Sequence, residues 1–187
     1  MTRVGFHTFD PDEVERLTGS DRFRFCSREE LLEPLPRGSD DAILDLGSGI
    51  GFYTNELAPF VGRVHAVDLQ PAMHDHYRGR GVPDNVVLET AAADALPFRD
   101  DTLDGAVSTM TFHESTTGAA MRELARVLRT GAAAVVVDWS RNGRGEAGPR
   151  LDERFDAARA REFFEEEGFE VRLAGERSET FRVVARR

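Results

Sequence analysis

The sequence predicts an α/β fold in which helices pack on both faces of a mostly parallel β-sheet. From residue 42 onward, short apolar runs of strand length alternate with stretches of helical length. Strands separated by helices form parallel sheets, because each crossover returns the chain in the same direction. The runs at 42–46 and 132–138 are apolar almost throughout, as in strands buried on both faces.

Seven strands and at least four helices follow from these patterns. The strands are predicted at residues 42–46, 64–68, 86–90, 103–108, 132–138, 170–173 and 180–185. Helices are predicted at 52–58 and 71–78, along a stripe formed by Met121, Leu124, Ala125 and Leu128, and at 151–167, which Gly168 would end.

The N-terminal stretch differs in character from the rest. Residues 1–41 are polar and are expected to be helical in pieces, with a helix start at Asp10-Pro11 and a capping box from Ser27 to Glu30. We therefore expect one compact domain in which residues 1–41 form a helical lid or extension and residues 42–187 form the ligand-binding part.

Composition narrows the class of protein. The chain of 187 residues has a net charge of -10, which disfavours binding to phosphate backbones. All 24 basic residues are arginine, a pattern that resembles proteins of salt-accumulating halophiles, although codon bias in a GC-rich genome gives the same result. With no apolar run long enough for a membrane span, the protein is expected in the cytoplasm. Cys26 is the only cysteine, which excludes an internal disulfide, and it is expected to be a half-buried apolar side chain.

A glycine-rich loop follows the first predicted strand. Its residues are Asp45, Gly47, Ser48, Gly49 and Gly51, and the glycines let the backbone approach a ligand closely. A dinucleotide site in the G-x-G-x-x-G register would need glycine at position 52, which is Phe52 here. A P-loop is excluded because the chain has no lysine. Asp45 is a candidate acceptor for a ligand ammonium group, or else it caps the next helix or satisfies loop amides.

Acidic residues also end the next two strands. Asp68 ends the second strand, where a carboxylate accepts hydrogen bonds from two ribose hydroxyls. Asp94, after the third strand, is a candidate acceptor for an adenine amine, with the amide of Ala95 facing a ring nitrogen; an Asx turn at Asp94 is the alternative. Leu69 and Met73 are candidate covers for the adenine faces, and Met73 is equally well explained as core.

The segments ILDLGSGIGFYT, VHAVDLQPAM, ADALPFRDDTLDGAVS and RELARVLRTGAAAVVVDW lie within residues 42–140. Together they resemble class I S-adenosylmethionine-dependent methyltransferases, especially the small-molecule branch of the ubiquinone/menaquinone-biosynthesis type (methyltransferase type 11). The resemblance implies a Rossmann-like doubly wound sheet whose seventh strand is antiparallel and lies between strands five and six. It also implies S-adenosylmethionine as cofactor, with Asp45 and the loop glycines at its methionine end, Asp68 at the ribose, and Asp94 and Ala95 at the adenine.

The segment from Ser108 to Glu114 follows the fourth strand and enters the same edge of the sheet. Ser108 is expected at the cofactor. His113 is the candidate general base because imidazole titrates near neutral pH, and Glu114 would orient it or bind the acceptor. The alternative is that His113 begins a helix and serves only structure. No third ligand accompanies His113 and Glu114, so no metal site is predicted.

Other aromatic residues and histidines are candidates either for substrate binding or for a purely structural role. His7, Phe23, Phe25 and Tyr53 are candidates for a substrate lid, as is Trp139 for the cleft wall, and ordinary packing explains each as well. His74 and His76 are two residues apart on a predicted helix, so they point in different directions and are expected to face solvent.

The predicted acceptor is a small molecule. The (D/N)-P-P-(F/Y) loop of amino-methylating nucleic-acid enzymes is absent, with Ser108-Thr109-Met110-Thr111 in its place. An RNA methyltransferase, a non-catalytic S-adenosylmethionine-binding regulator and an NAD-dependent oxidoreductase remain as alternatives. Phe52 and the lack of a Tyr-x-x-x-Lys pair disfavour the last of these. The oligomeric state is left open.

Overall fold

The computed structural model describes residues 10–187. Within this range the strands are β1 (Ala42–Leu46), β2 (Arg63–Asp68), β3 (Val86–Thr90), β4 (Leu103–Thr109), β5 (Leu128–Trp139), β6 (Glu170–Glu176) and β7 (Thr180–Arg186). They form one sheet in the order β3-β2-β1-β4-β5-β7-β6. The pairs among β1 to β5 are parallel, whereas β7 is antiparallel to both β5 and β6. The predicted mostly parallel sheet with an antiparallel seventh strand is confirmed.

The helices surround this sheet. They are α1 (Arg28–Leu32), α2 (Phe52–Leu57), α3 (Pro71–Arg80), α4 (Phe112–Ser115), α5 (Gly118–Val127) and α6 (Ala157–Glu166). Short 3-10 helices cover Pro11–Leu17, Ser20–Arg24, Ala58–Phe60 and Leu151–Glu153. The prediction that the N-terminal stretch is helical in pieces is therefore correct for residues 11–32.

Side chains that alternate along the strands form two apolar cores, one on each face of the sheet. Ile43 of β1 packs in the core that contains Leu31, Leu57 and Tyr77 from α1, α2 and α3. Its neighbour Leu44 packs in the other core, with side chains of α5 and α6. Both faces are covered, which explains the continuous apolar runs of the central strands.

Capping residues set where several helices begin. The predicted capping box is present: Ser27 Oγ accepts from the Glu30 amide at 3.3 Å, and Glu30 Oε2 accepts from the Ser27 amide at 2.9 Å. The prediction of one helix over 151–167 is wrong, because only a 3-10 turn forms at 151–153. The helix α6 begins at Ala157, where Asp156 caps it by accepting from the Arg159 amide at 2.7 Å.

The stripe predicted for one helix extends into the next strand. Leu128, expected on the helical stripe with Met121 and Leu124, is the first residue of β5, although it is fully buried.

In residues 10–187, no helix is both long and apolar enough to cross a membrane.

Candidate functional site

The glycine loop after β1 has a backbone that suits glycine only. Gly47, Gly49 and Gly51 have φ values of +80°, +55° and +80°, in the left-handed region that other residues enter at a cost. The loop is tied to β2, since the amides of Gly47 and Ser48 both donate to the Val67 carbonyl, at 2.8 and 3.0 Å. The turn therefore lies at the carboxyl edge of the sheet, between β1 and β2.

The three glycines differ in what surrounds them. A Cβ on Gly51 would overlap the ring of Tyr77, and a Cβ on Gly47 would overlap the side chain of Thr111. Near Gly49, the only atom of the described residues within 4 Å of the Cβ position is Leu17 Cδ1, at 4.0 Å. Packing therefore requires glycine at positions 47 and 51, whereas the described part of the chain leaves the backbone of Gly49 open.

Asp45 is a buried carboxylate that is only half satisfied. It is 1% exposed, and its Oδ2 accepts from Thr54 Oγ1 at 2.5 Å. Its Oδ1 has no hydrogen-bond partner among the residues that the structure describes. Burial raises the pKa of Asp45 to about 6, against the opposing effect of the Thr54 hydrogen bond and with a smaller contribution from Asp68. A buried acceptor without a partner is unfavourable unless a ligand supplies a donor.

Asp68, the last residue of β2, faces the glycine loop. Its Oδ2 accepts from the Gly49 amide at 2.8 Å and its Oδ1 accepts from the Gln70 amide at 2.9 Å. Each carboxylate oxygen keeps capacity for a second donor. Next to it, Leu69 is 58% exposed, whereas Met73 is 2% exposed and lies in the interior.

The turn after β3 presents two other predicted residues. Asp94 and Ala95 are both exposed. The Ala95 amide donates to the Ala92 carbonyl at 3.1 Å, so a ring nitrogen would have to share or replace that bond.

The segment after β4 is joined to the glycine loop. Ser108 Oγ and Thr111 Oγ1 lie 3.1 Å apart, and Thr111 Oγ1 donates to the Leu46 carbonyl at 3.2 Å. Ser48 Oγ is buried without a partner. Between Ser108 and Thr111, Met110 has a φ of +60°, an unusual conformation for a residue that is not glycine. Strained backbone of this kind clusters at functional sites.

His113 forms a buried pair with Asp138, the penultimate residue of β5. Its Nδ1 lies 2.9 and 3.0 Å from the two Asp138 oxygens, and its amide donates to Asp138 Oδ2 at 2.6 Å. The His113 Nε2 is 3.6 Å from Glu114 Oε1. Burial lowers the pKa of His113, but the charge and hydrogen bond of Asp138, with Glu114, outweigh burial and raise it above the usual value.

The N-terminal segment packs against this edge of the sheet. The Tyr53 hydroxyl donates to the carbonyls of Arg22 and Cys26 at 3.0 and 3.2 Å. Phe23 packs against Phe52, with centroids 5.1 Å apart, and Phe25 packs against Trp139 at 4.8 Å. Phe23 and Tyr53 therefore share one aromatic group with Phe52, and Phe25 pairs with Trp139. A role of these residues as a substrate lid stays a prediction, and His7 lies outside the described residues.

Comparison with known proteins agrees with this geometry. Residues 44–136 match the family model of the methyltransferase domain. A crystal structure of an S-adenosylmethionine-dependent methyltransferase from Aquifex aeolicus has a TM-score of 0.85 and 27% identity, and the match covers 95% of this chain and 98% of that chain. The chain carries an S-adenosylmethionine-dependent methyltransferase domain.

Two named methyltransferases are similar in sequence to this domain. Methyltransferase GfsG of Streptomyces halstedii is 34% identical over 118 residues, which are 59% of this chain and 42% of GfsG. The ubiquinone/menaquinone biosynthesis C-methyltransferase UbiE of Proteus mirabilis is 27% identical over 165 residues, which are 75% of this chain and 66% of UbiE. The chain therefore spans less than half of GfsG and about two thirds of UbiE.

The residues of the methyltransferase domain fit its cofactor, S-adenosylmethionine. That molecule has an ammonium group, a carboxylate, a ribose and an adenine but no phosphate. The unpartnered Oδ1 of buried Asp45 matches a donor such as the ammonium group. The open face of Gly49, beside Asp68, leaves room for a ligand against the backbone. Across residues 10–187, no group of three or more His, Cys, Asp or Glu side chains is placed to hold a metal ion.

Three residues of the domain differ from expectation or were missed. His74 is fully buried, with Nδ1 3.2 Å from Thr90 Oγ1, so the prediction that it faces solvent is wrong; His76 is exposed as predicted. Cys26 is fully buried rather than half-buried, and burial raises the pKa of its thiol to about 12. Asp138 was not among the predicted site residues, although a lone acid ending an apolar strand was a visible signal.

Proposed function

We propose that the protein transfers the methyl group of S-adenosylmethionine to a small-molecule acceptor. The observation that carries the proposal is the cradle at the carboxyl edge of β1 and β2. In it, the open backbone of Gly49 lies against Asp68, close in sequence to the buried, half-satisfied carboxylate of Asp45. A cradle of this kind suits a ligand that brings donors and no phosphate.

The following residues would hold the cofactor. Asp45 would accept from the ammonium group, and the backbone of Gly47, Ser48, Gly49 and Gly51 would line the methionine end. Asp68 would accept from the ribose hydroxyls through its remaining lone pairs. At the adenine, Asp94 would accept from the exocyclic amine, with Ala95 and Leu69 beside the ring, while Ser108 would close the loop side of the site. The buried Met73 is assigned to the core, the alternative that its sequence also offered. When bound, the cofactor supplies a methyl carbon made electrophilic by the sulfonium.

We assign the proton transfer to His113. Its Nδ1 hydrogen would donate to Asp138, which leaves Nε2 without a hydrogen and able to take a proton from the acceptor. Asp138 would hold the ring in this tautomer and stabilise the imidazolium that forms. Glu114 lies near Nε2 and would bind a polar group of the acceptor.

Two observations support a small-molecule acceptor, and a third concerns the cytoplasm in which we place the protein. The net charge of -10 disfavours a nucleic-acid backbone. The relatives GfsG and UbiE are named as a methyltransferase and as a biosynthesis C-methyltransferase. The lysine-free composition further suggests a cytoplasm rich in salt, which is a proposal about the source that salt titration tests.

The experiment has a binding part and a turnover part. Calorimetry should give tight binding of S-adenosylhomocysteine and none of NAD; the reverse would contradict the proposal. Labelled methyl groups should then appear in the small-molecule fraction of a cell extract and not in its RNA or protein fractions. Label in RNA would make the protein an RNA methyltransferase, and binding without any transfer would make it a regulator.

Variants locate the base in the same assay. His113→Ala should lower turnover by about 10²- to 10⁴-fold with little change in S-adenosylhomocysteine binding. His76→Ala, an exposed histidine on α3, is the matched control and should leave turnover unchanged. Equal turnover in both variants would remove His113 from the mechanism.

A further inference from the structure

Arg22 is a half-buried arginine with no acidic partner among the described side chains. Its guanidinium carbon lies 5.2 Å from the ring centroid of Phe52 and 5.5 Å from that of Tyr53, and its Nη2 contacts Met110 Sδ at 3.8 Å. Its Nε is inaccessible and has no hydrogen-bond partner. Burial lowers the pKa of Arg22, and Tyr53 and Asp21 oppose this effect. Among the side chains that the structure describes, which do not include those of Pro11 and Asp12, no carboxylate forms an ion pair with Arg22.

Arg154, another arginine removed from solvent, has the ionic and hydrogen-bond partners that Arg22 lacks. It is 3% exposed and lies 3.6 Å from Glu179. It also donates to the Pro149 carbonyl at 2.9 Å and to the Ser140 carbonyl at 3.3 Å. A buried cation is costly unless it is paired in this way, so Arg22 is expected to have an anionic partner that is not part of the chain.

The backbone around Arg22 is held in place independently of its side chain. The Tyr53 hydroxyl donates to the Arg22 carbonyl at 3.0 Å. The carbonyl of Phe25 accepts from Arg177 Nη1 at 2.6 Å and from Thr180 Oγ1 at 3.2 Å. The guanidinium is thus positioned before any ligand arrives, which reduces the entropy lost on binding.

Arg22 lies next to the glycine loop. Phe52, on which the guanidinium stacks, follows Gly51 directly, and Met110 is the first residue after β4. In the same N-terminal segment, Leu17 approaches Gly49. The cation therefore lies beside the loop assigned to the methionine end of the cofactor, where Asp45 accounts for the ammonium group and nothing yet accounts for the carboxylate.

We propose that Arg22 binds the carboxylate of the amino-acid tail of the cofactor. This inference rests on the proposed function. If Arg22 binds the carboxylate, the N-terminal segment contributes a side chain to the cofactor site, in addition to Asp45 and the glycine loop. The inference also gives Phe52 a role. This residue stands where a dinucleotide-binding loop would have its third glycine, and its ring packs against the Arg22 guanidinium.

The test compares two ligands that differ only in the tail region. S-Adenosylhomocysteine carries the amino-acid group, and 5′-methylthioadenosine lacks it. In calorimetry, Arg22→Gln should weaken S-adenosylhomocysteine about 10- to 100-fold, the range for losing a charged hydrogen bond, and should change 5′-methylthioadenosine less than about threefold. Arg22→Lys, which keeps a cation without the planar fork, should lose less than Arg22→Gln.

Arg24→Gln is the matched control, since Arg24 is exposed on the same 3-10 helix. It should leave the affinity for both ligands unchanged. Equal losses for both ligands in Arg22→Gln, or no loss for either, would overturn the inference. If Arg22→Gln fails to fold, Arg22→Met, which also removes the charge and keeps an unbranched side chain, replaces it under the same criterion. Absence of S-adenosylhomocysteine binding in the wild type would instead refute the proposed function.

Discussion

Replacing Asp45 by asparagine should change the pH dependence of stability in a way that the cofactor reverses. The carboxyl is 1% exposed, and burial raises its pKa from 3.8 to about 6. An acid whose pKa is higher in the folded than in the unfolded state holds its proton longer when folded. Its contribution to stability is therefore complete below about pH 4 and is lost as the pH rises to about 6.

The size of the effect follows from the shift. A change of about two pKa units, at about 1.4 kcal/mol per unit, corresponds to about 3 kcal/mol. The wild type should lose this amount relative to Asp45→Asn between about pH 4 and about pH 6, and the difference should stay constant at higher pH. Any constant offset from the new amide, including an unsatisfied N–H group, does not alter this slope.

Urea unfolding at a series of pH values measures the difference directly. Asp40→Asn, an exposed carboxylate in the turn before β1, controls for general charge effects and should follow the wild type. Saturating S-adenosylhomocysteine should remove the slope, because an ammonium group beside Asp45 favours the ionised form, whereas 5′-methylthioadenosine should leave it. Parallel curves for the wild type and Asp45→Asn would refute the pKa reasoning, and a slope that survives S-adenosylhomocysteine would refute the ammonium contact.

Three other predictions concern the base, the loop and the salt response. Asp138→Asn should move the acidic limb of the pH–rate profile to lower pH, because burial then acts on His113 without the opposing charge; an unmoved limb would contradict the pairing. Gly51→Ala should lose about 2–5 kcal/mol in urea unfolding, about 1–2 from the left-handed backbone and about 1–3 from overlap with Tyr77. Gly131→Ala, with φ +84° and nothing within 4 Å, should lose only the backbone part, and equal losses would show that Tyr77 yields. The melting temperature should rise between low and molar KCl, and a constant value would favour codon bias over a halophilic origin.

Features set by local sequence were predicted well. The bounds of β1 and β3, the capping box at Ser27 and the end of α6 at Gly168 all agree with expectation. Each depends on residues close together in the chain: an apolar run, a side chain that caps its own helix, or a glycine with positive φ. The turn at residues 47–51 belongs to the same class, since its glycines have positive φ, whereas its role in binding the cofactor stays a prediction.

Features that depend on distant residues were not predicted. The contact of His113 with Asp138 requires the parallel register of β4 and β5, in which Thr109 lies opposite Val137. That register is set by the whole sheet and cannot be read from either segment alone. The unpaired state of Arg22 is likewise a property of the surrounding fold, because only the packed structure shows which acids lie out of reach.

Burial of His74 could have been found from helix geometry. It precedes the fully buried Tyr77 by three residues and therefore shares its face of α3. The spacing from His76 shows only that the two histidines point in different directions; the apolar face of α3 determines which of them is buried. For α6, the apolar pattern extended the helix backward to residue 151, but the Asp156 cap starts it at Ala157.

A crystal structure with S-adenosylhomocysteine tests the central claim most directly. Density for the amino-acid group should lie against Gly49 with its ammonium group at Asp45, and the ribose hydroxyls should reach Asp68. Density at another edge of the sheet, or a ligand whose tail contacts neither Asp45 nor the backbone at 47–51, would contradict the account.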